Sequence, residues 1–327
     1  MSRETVHGQG MPFPLNHSQY QDFHVDPGVA LGQKVIHVFP SSDHRMFKSA
    51  WMSAGTGAGR RTTSLATAIT WAVTGGGDII VLHAGTFTQN TTITIAKSDI
   101  TIIDAGWFYR QWFGAAPPQS RAQINYTPAT AVSLFDVGAA RVQFIGLDVR
   151  ASGATAAAKV FDFADGAADK CSVIGGQIVV TDATTLVVGV DSDGDDTVVH
   201  KLRFLANVAG NVAHVGVRVS APRPIIQGCE FATPSNSATC YGVHLDSGAL
   251  CGGVVFKNTF NFTAGGTGVL IAASTTFNRV QDNMFATGSL TNITNSGGAT
   301  NLLSPNYEDV LADPSVSASN LVTAVRA

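Results

Sequence analysis

The chain has 327 residues, of which only 13% are charged, and its formal net charge is −3. This charge gives no electrostatic reason to expect binding to nucleic acid, and no apolar run approaches the roughly 18 residues that span a bilayer. A chain of this length can bury a large core, and its many small, uncharged residues suit an all-β solenoid.

Residues 1–45 are polar, contain several His, Gln and Pro residues, and show no sustained alternation of apolar and polar positions. We interpret them as an extended N-terminal arm that docks on another subunit, with an unstructured segment as the alternative. The first residues lack the apolar core of a secretory signal, so we expect synthesis in a cytoplasm unless a signal was removed.

Residues 46–77 are predicted to form a capping segment that closes the first turn of the solenoid. Ser64 is a candidate N-cap, apolar residues follow at helical spacing, and Gly75 to Gly77 would stop the helix. The pattern therefore predicts a helix over residues 64–74. Such a lid would cover strand edges that otherwise invite aggregation.

The stretch after this helix carries a family resemblance. It reads Gly77-Asp78-Ile79-Ile80-Val81-Leu82-His83-Ala84-Gly85-Thr86-Phe87, then Ile93-Thr94-Ile95, then Ser98-Asp99-Ile100-Thr101-Ile102-Ile103. Residues 62–106 resemble the entry to pectate-lyase-like β-helices, which implies a right-handed parallel β-helix. The resemblance implies no single function, because that superfamily includes polysaccharide lyases, hydrolases, epimerases, bacteriophage tailspikes and non-enzymatic virion proteins.

A hydrophobic repeat of about 27 residues predicts that this β-helix covers residues 78–303. One thread contains Gly216-Val217-Arg218-Val219, Gly242-Val243-His244-Leu245 and Gly268-Val269-Leu270-Ile271, with Val188/Val190, Phe161/Phe163 and Phe135/Val137 in the same phase before them. A second thread begins at Phe144, Val173, Val199, Ile226, Val255 and Val280. One repeat per turn would place equivalent residues about 4.8 Å apart.

Stacking of the turns predicts columns of equivalent side chains. Phe204, Phe231, Phe260 and Phe285 are expected to stack inside the solenoid, and Asn258 is expected to lie above Asn283 at a turn. The four cysteines, Cys171, Cys229, Cys240 and Cys251, form no CxxC pair and are interpreted as small buried hydrophobes.

Two outward columns follow from the same alignment. The first reads Asp136, Asp162, Gly189, Arg218, His244 and Leu270, and the second reads Asp148, Gln177, Arg203, Glu230, Thr259 and Met284. Asp136 and Asp162 are the candidate catalytic pair, because neighbouring carboxylates can couple their titration and glycoside hydrolysis uses two of them. The alternative is that both are solvated outer positions, since no third carboxylate continues this column.

The acidic run from Asp191 to Asp196 offers candidate metal ligands in Asp191, Asp193 and Asp195. The run resembles the opening of a calcium loop. However, the glycine position of an EF-hand holds Asp196 and the bidentate position holds Leu202. A solvated turn is therefore the alternative.

An aromatic insertion is predicted over residues 106–128, between the first coil and the regular ones. It contains Trp107, Phe108, Tyr109, Trp112 and Phe113. Five aromatic residues this close together do not fit inside a narrow coil, so we interpret them as a binding surface for a partner subunit or for sugars. The alternative is a hydrophobic flap that folds on its own coil.

The functional expectation combines these features. The chain contains no G-x-S-x-G, H-E-x-x-H or Walker motif, and nothing in it implies a cofactor. We expect a structural bacteriophage virion protein, located in the virion as a capsid decoration, vertex or fibre protein. It would dock on other virion proteins, such as the major capsid protein, through residues 1–45, and residues 304–327 would cap the last coil.

We further expect a homotrimer that packs through faces such as Ala154 to Ala158. Two alternatives to the structural role stay open. One is a polysaccharide-degrading tailspike, lyase or hydrolase, and the other is a non-catalytic carbohydrate-binding β-helix that contacts a cell-surface polysaccharide.

Overall fold

The computed structural model describes residues 34–44, 61–106, 121–127, 132–152, 157–163, 166–181, 183–207, 212–233, 240–246, 251–262, 266–286, 291–297 and 299–309. Outside these ranges lie most of the predicted arm (1–33), the five aromatic residues between Trp107 and Phe113, and the end of the predicted tail (310–327). Within the described ranges, no helix is long and apolar enough to cross a membrane.

The described elements are one short helix and a long series of short strands. They are β1 (Val35–Val38), β2 (Arg61–Thr62), α1 (Leu65–Trp71), β3 (Ile79–Leu82), β4 (Gly85–Gln89), β5 (Ile93–Ile95), β6 (Thr101–Asp104), β7 (Ala122–Tyr126), β8 (Ser133–Val137), β9 (Gln143–Ile145), β10 (Asp148–Ser152), β11 (Ala158–Phe163), β12 (Ser172–Ile174), β13 (Gln177–Thr181), β14 (Val187–Ser192), β15 (Val198–His200), β16 (Arg203–Asn207), β17 (His214–Val219), β18 (Ile225–Gln227), β19 (Glu230–Thr233), β20 (Tyr241–Leu245), β21 (Val254–Phe256), β22 (Thr259–Phe262), β23 (Thr267–Ile271), β24 (Arg279–Gln281), β25 (Met284–Ala286), β26 (Thr291–Asn295) and β27 (Tyr307–Asp309).

These strands form three parallel sheets that run the length of the described molecule. Sheet A has the order β2-β1-β3-β6-β9-β12-β15-β18-β21-β24, sheet B the order β27-β25-β22-β19-β16-β13-β10-β7-β4, and sheet C the order β26-β23-β20-β17-β14-β11-β8-β5. Successive turns of the chain therefore pair strand on strand, which confirms the predicted parallel β-solenoid.

The interior columns are those that the repeat predicts. Phe204, Phe231, Phe260 and Phe285 are in register on sheet B, and the rings of the last three stack at centroid distances of 5.1 and 4.9 Å. Asn258 Nδ2 donates to Asn283 Oδ1 at 3.0 Å, and Asn283 Nδ2 donates to Asn306 Oδ1 at the same distance. The amide ladder is thus confirmed, and it continues one turn further than predicted.

The repeated glycines of the first thread lie opposite this phenylalanine column. A Cβ atom on Gly242 would lie 2.5 Å from the ring of Phe260, and one on Gly216 would lie 2.4 Å from the ring of Phe231. Glycine recurs at these positions because the ring fills the space that a side chain would need.

The second sequence thread covers strands of two sheets. In the six turns from β9 to β25, the chain passes from sheet A to sheet B through a residue with positive φ, which is glycine in three turns and a larger residue in the other three. This corner contains Gly146, Gly175, Lys201, Gly228, Lys257 and Asp282. The corner shifts the alternation by one residue, so the inward residues on its two sides, such as Phe144 and Val149, are five positions apart.

Several predicted boundaries differ from the structure. The N-cap is Ser64, whose side chain accepts from Thr67 N, but α1 ends at Trp71 rather than near residue 74, since Val73 N donates to Asp78 Oδ2. The predicted arm included Val35–Val38, yet these residues are β1, which pairs in parallel with β3 because its apolar residues alternate toward the core.

Two other predicted ranges contain strands of the solenoid. The predicted insertion includes β7, which continues sheet B between β4 and β10, because Ala122, Ile124 and Tyr126 alternate into the core. The predicted tail includes β27, which pairs with β25, because Asn306 holds the last turn in register. The solenoid therefore reaches at least Asp309.

Candidate functional site

The outward face of sheet C carries three aspartates in one column. Asp136 pairs with Asp162 and Asp162 pairs with Asp191 in the strand register, and Arg218 follows Asp191. The predicted column had Gly189 in place of Asp191, and that prediction was wrong by two residues. The error arose because Val188 and Val190 are both apolar, and Val190 rather than Val188 pairs with Phe161.

Asp191 is the centre of an ionic network that joins three turns. Arg218 donates from Nε to Asp191 Oδ1 and from Nη2 to Oδ2, both at 2.6 Å. Lys159 Nζ lies 2.7 Å from Asp191 Oδ2 and 3.0 Å from Asp162 Oδ1. Ser133 Oγ donates to Asp162 Oδ2 at 2.5 Å, so both oxygens of that carboxylate have a donor within the protein.

The network keeps Asp191, Lys159 and Arg218 charged. Burial raises the pKa of Asp191, but hydrogen bonds from Arg218 and Lys159 outweigh it and hold that pKa below its usual value. Burial lowers the pKa of Lys159, and hydrogen bonds to Asp191 and Asp162 outweigh it in turn, so the Lys159 pKa is raised. The hydrogen bond to Asp191 raises the pKa of Arg218.

A groove of about 480 Å³ lies over this part of sheet C. Its walls include Thr92, Val132, Ser133, Asp136, Ala157, Ala158, Lys159, Asp162, Leu186, Val188 and Arg218. The two candidate catalytic residues, Asp136 and Asp162, are therefore brought together beside a lysine and an arginine. The sequence alignment missed Lys159, which lies three residues before Asp162 and could have been found from the same strand.

The outward column of sheet B has the predicted composition. Asp148, Gln177, Arg203, Glu230, Thr259 and Met284 are in continuous register. Gln177 Nε2 donates to both oxygens of Asp148 at 2.9 Å, and Arg203 Nε lies 3.0 Å from Glu230 Oε2. Charged side chains on this face are thus also paired between neighbouring turns.

The candidate metal ligands do not converge. Asp191 belongs to β14 and faces Arg218, Asp193 accepts from Ser220 Oγ, and Asp195 lies 3.1 Å from Arg223. In the part of the chain that the structure describes, no group of three or more His, Cys, Asp or Glu side chains could hold a metal ion. The neighbouring Asp196 is also paired with Arg223, at 2.7 Å.

The predicted aromatic surface of Trp107, Phe108, Tyr109, Trp112 and Phe113 lies outside the described residues, so its place relative to the groove stays a prediction. The cysteines are free, and Cys171, Cys229 and Cys240 are buried. Burial raises the pKa of Cys171 to about 11 and that of Cys229 to about 12, so these thiols stay protonated near neutral pH.

A buried histidine beside the groove makes the fold sensitive to acid. The side chain of His214 is buried, its Nδ1 accepts from Val187 N at 3.3 Å, and its Nε2 has no hydrogen-bond partner among the described residues. Burial lowers the pKa of His214 from 6.5 to about 4. At a pH between these two pKa values, His214 is therefore protonated in the unfolded chain and neutral in the folded chain.

We expect the free energy of unfolding to fall by about 3 kcal/mol from this group as the pH drops from about 6.5 to 4. Replacing His214 with Gln, which keeps an acceptor, should remove that part of the slope. Urea unfolding at several pH values measures it. If the unfolding free energies of the wild type and of His214→Gln changed with pH in the same way, His214 would not be the source of the acid sensitivity.

Comparisons with known proteins give little further information. A scan against protein-family models finds no match, and a search of curated proteins finds none. Among solved structures, the chain is similar to ORF18 of Geobacillus virus E2, with 15% identity and a TM-score of 0.35 over 75% of this chain and 57% of that one. The chain thus spans little more than half of that protein's length, and a likeness at this level assigns no function.

Proposed function

We propose that this chain is a structural protein of a bacteriophage virion, a capsid decoration, vertex or fibre protein that projects a β-solenoid as a homotrimer. It would dock on another virion protein, such as the major capsid protein, through its N-terminal arm. The observation that carries the structural role is the pairing on sheet C, where the buried carboxylates are neutralised by cations on neighbouring turns.

This pairing leaves no side chain of the network ready for glycan chemistry. A lyase needs a basic group that takes a proton, but the pKa values of Lys159 and Arg218 are raised, so both stay protonated. A hydrolase needs one carboxyl group to donate a proton and another to act as base or nucleophile. Asp162 and Asp191 instead accept from Lys159, and Asp191 also accepts from Arg218.

The virion assignment is supported by the resemblance of residues 62–106 to a superfamily that includes non-enzymatic virion proteins. A rod that is stiffened by cross-turn ion pairs and amide ladders suits a projecting structural component. The groove supports a second candidate function, which is carbohydrate binding. In this role a cell-surface polysaccharide would lie in the groove over Asp136 without being cleaved.

Incubation of the purified protein with capsular polysaccharide and with pectin tests the structural role. We expect no new reducing ends and no unsaturated uronates, because Lys159 and Arg218 stay protonated and the carboxylates of Asp162 and Asp191 are paired with these cations. Asp136→Asn and Asp162→Asn should behave like the wild type. Turnover that either substitution abolishes would contradict the structural role, whereas binding without turnover would favour the second candidate.

A further inference from the structure

The outward face of sheet A differs from the faces of sheets B and C because it is largely apolar. In the nine strands from β1 to β24 of this sheet, the outward positions carry a single formal charge, on Arg279. Apolar residues instead form a continuous stripe, which changes from one outward column to the other at Val81 and returns to the first at Val198. The stripe contains Val35, Ile79, Val81, Ile103, Ile145, Ile174, Val198, Ile225 and Val254.

The stripe is covered at one end and open at the other. Val81 is 1% exposed and Ile103 is 7% exposed, although both point away from the solenoid interior. They form a hydrophobic cluster of their own with Val35, separate from the main core. Ile225, six strands further along the sheet than β1, is 39% exposed.

The dimensions of the stripe decide what can cover it. Eight strands from β1 to β21 span about 34 Å at roughly 4.8 Å per strand, and a stripe one or two side chains wide covers about 340 Å². A stable interface between two folded copies needs about 800 Å² on each partner. An extended segment fits better, since about ten residues of extended chain reach 34 Å.

The chain supplies such a segment at the covered end. Lys34, where the description begins, is held by its N–H to Asp78 Oδ1 at 2.7 Å, and Val35 follows as the first residue of the stripe. The fourteen residues before it, Tyr20 to Gln33, can reach about 46 Å. They contain Tyr20, Phe23, Val25, Val29 and Leu31 as apolar residues.

We propose that residues 20–33 lie across the outward face of sheet A of their own chain and cover the stripe. This contact would stabilise the outward face of sheet A by burying apolar side chains. On the outward faces of sheets B and C, ion pairs link neighbouring turns instead. It leaves residues 1–19 for the partner that the proposed function requires, and it does not depend on that function.

Limited proteolysis of the full chain with chymotrypsin, read by mass spectrometry, tests the contact. We expect cleavage after Tyr20 and Phe23 to be roughly tenfold slower in the wild type than in Ile174→Arg, because cleavage follows the population of the undocked segment and a charge in the stripe should undock it. Val179→Arg is the matched control, because Val179 is an outward, half-buried residue of the same turn on sheet B.

Equal rates of cleavage after Phe23 in the wild type and in Ile174→Arg would overturn the proposal. Protection that rises with protein concentration, together with a multimer in light scattering, would assign the stripe to the arm of another copy and would also overturn it. A second variant leaves the sheet unchanged. Phe23→Ser with Val25→Ser should increase binding of the dye ANS by exposing the stripe, and unchanged binding would count against the contact.

Discussion

Replacing Gly242 with Ala is expected to destabilise the protein by about 3 kcal/mol or more, because the new methyl group has no space. Its Cβ atom would lie 2.5 Å from two ring carbons of Phe260 and 2.8 Å from the carbonyl oxygen of Gly268. The ring cannot move away freely, since it stacks between Phe231 and Phe285. The thermal midpoint should fall by roughly 4–5 °C.

Gly166→Ala is the matched control, because a Cβ atom at Gly166 would meet nothing within 4 Å. Differential scanning calorimetry of both variants makes the comparison. If Gly242→Ala had the same thermal midpoint as the wild type, the space between Gly242 and the Phe260 ring would have to be wider than the structure shows, and the prediction would be wrong.

Replacing Asp191 with Ala is expected to cost about 3 kcal/mol, because it leaves Lys159 and Arg218 without their shared carboxylate. We take the low end of the range for buried pairs, since the side chains of Lys159 and Arg218 are 30% and 31% exposed. The wild-type contribution should be present above about pH 4 and lost as the pH falls through the lowered pKa of Asp191.

Asp195→Ala removes a carboxylate from an exposed pair with Arg223 and should leave the thermal midpoint nearly unchanged. Combining Asp191→Ala with Arg218→Ala should cost less than the sum of the two single substitutions, because the double variant leaves one unpaired cation fewer. Strict additivity in denaturant unfolding would contradict the network.

The solenoid could be predicted from the sequence because its signal is repeated. The register of Phe231 on Phe260 and of Asn258 on Asn283 follows from a spacing that recurs in every turn, so errors in single turns do not change the fold. The column through Asp148, Gln177 and Arg203 was predicted for the same reason.

The candidate site was harder to predict because it depends on one register. The interval from Asp162 to Asp191 is 29 residues, while the next, from Asp191 to Arg218, is 27. A period-two pattern cannot detect a shift of two residues, so Asp191 was assigned to a turn and offered as a metal ligand. Lys159 lies in the same turn as Asp162. Its ion pair with Asp191 joins two neighbouring turns, so it can be predicted only when the register between these turns is known.

Other features depend on packing that alternation does not encode. β1 and β27 were missed because each is a short terminal strand without a following repeat of the same phase. The apolar face of sheet A was not recognised because the second thread follows the inward residues, such as Phe144 and Val173, and not the outward residues beside them, such as Ile145 and Ile174.

The proposed role in a virion is tested most directly by fractionating phage particles from a lysate of cells that make the chain. Heads and tails are separated on a density gradient, and each fraction is quantified by mass spectrometry. We expect the chain to band with the particles at a fixed ratio to the major capsid protein, and a shortened chain without residues 1–33 to be lost from them. Recovery of the full chain only outside the particles would contradict the proposed function.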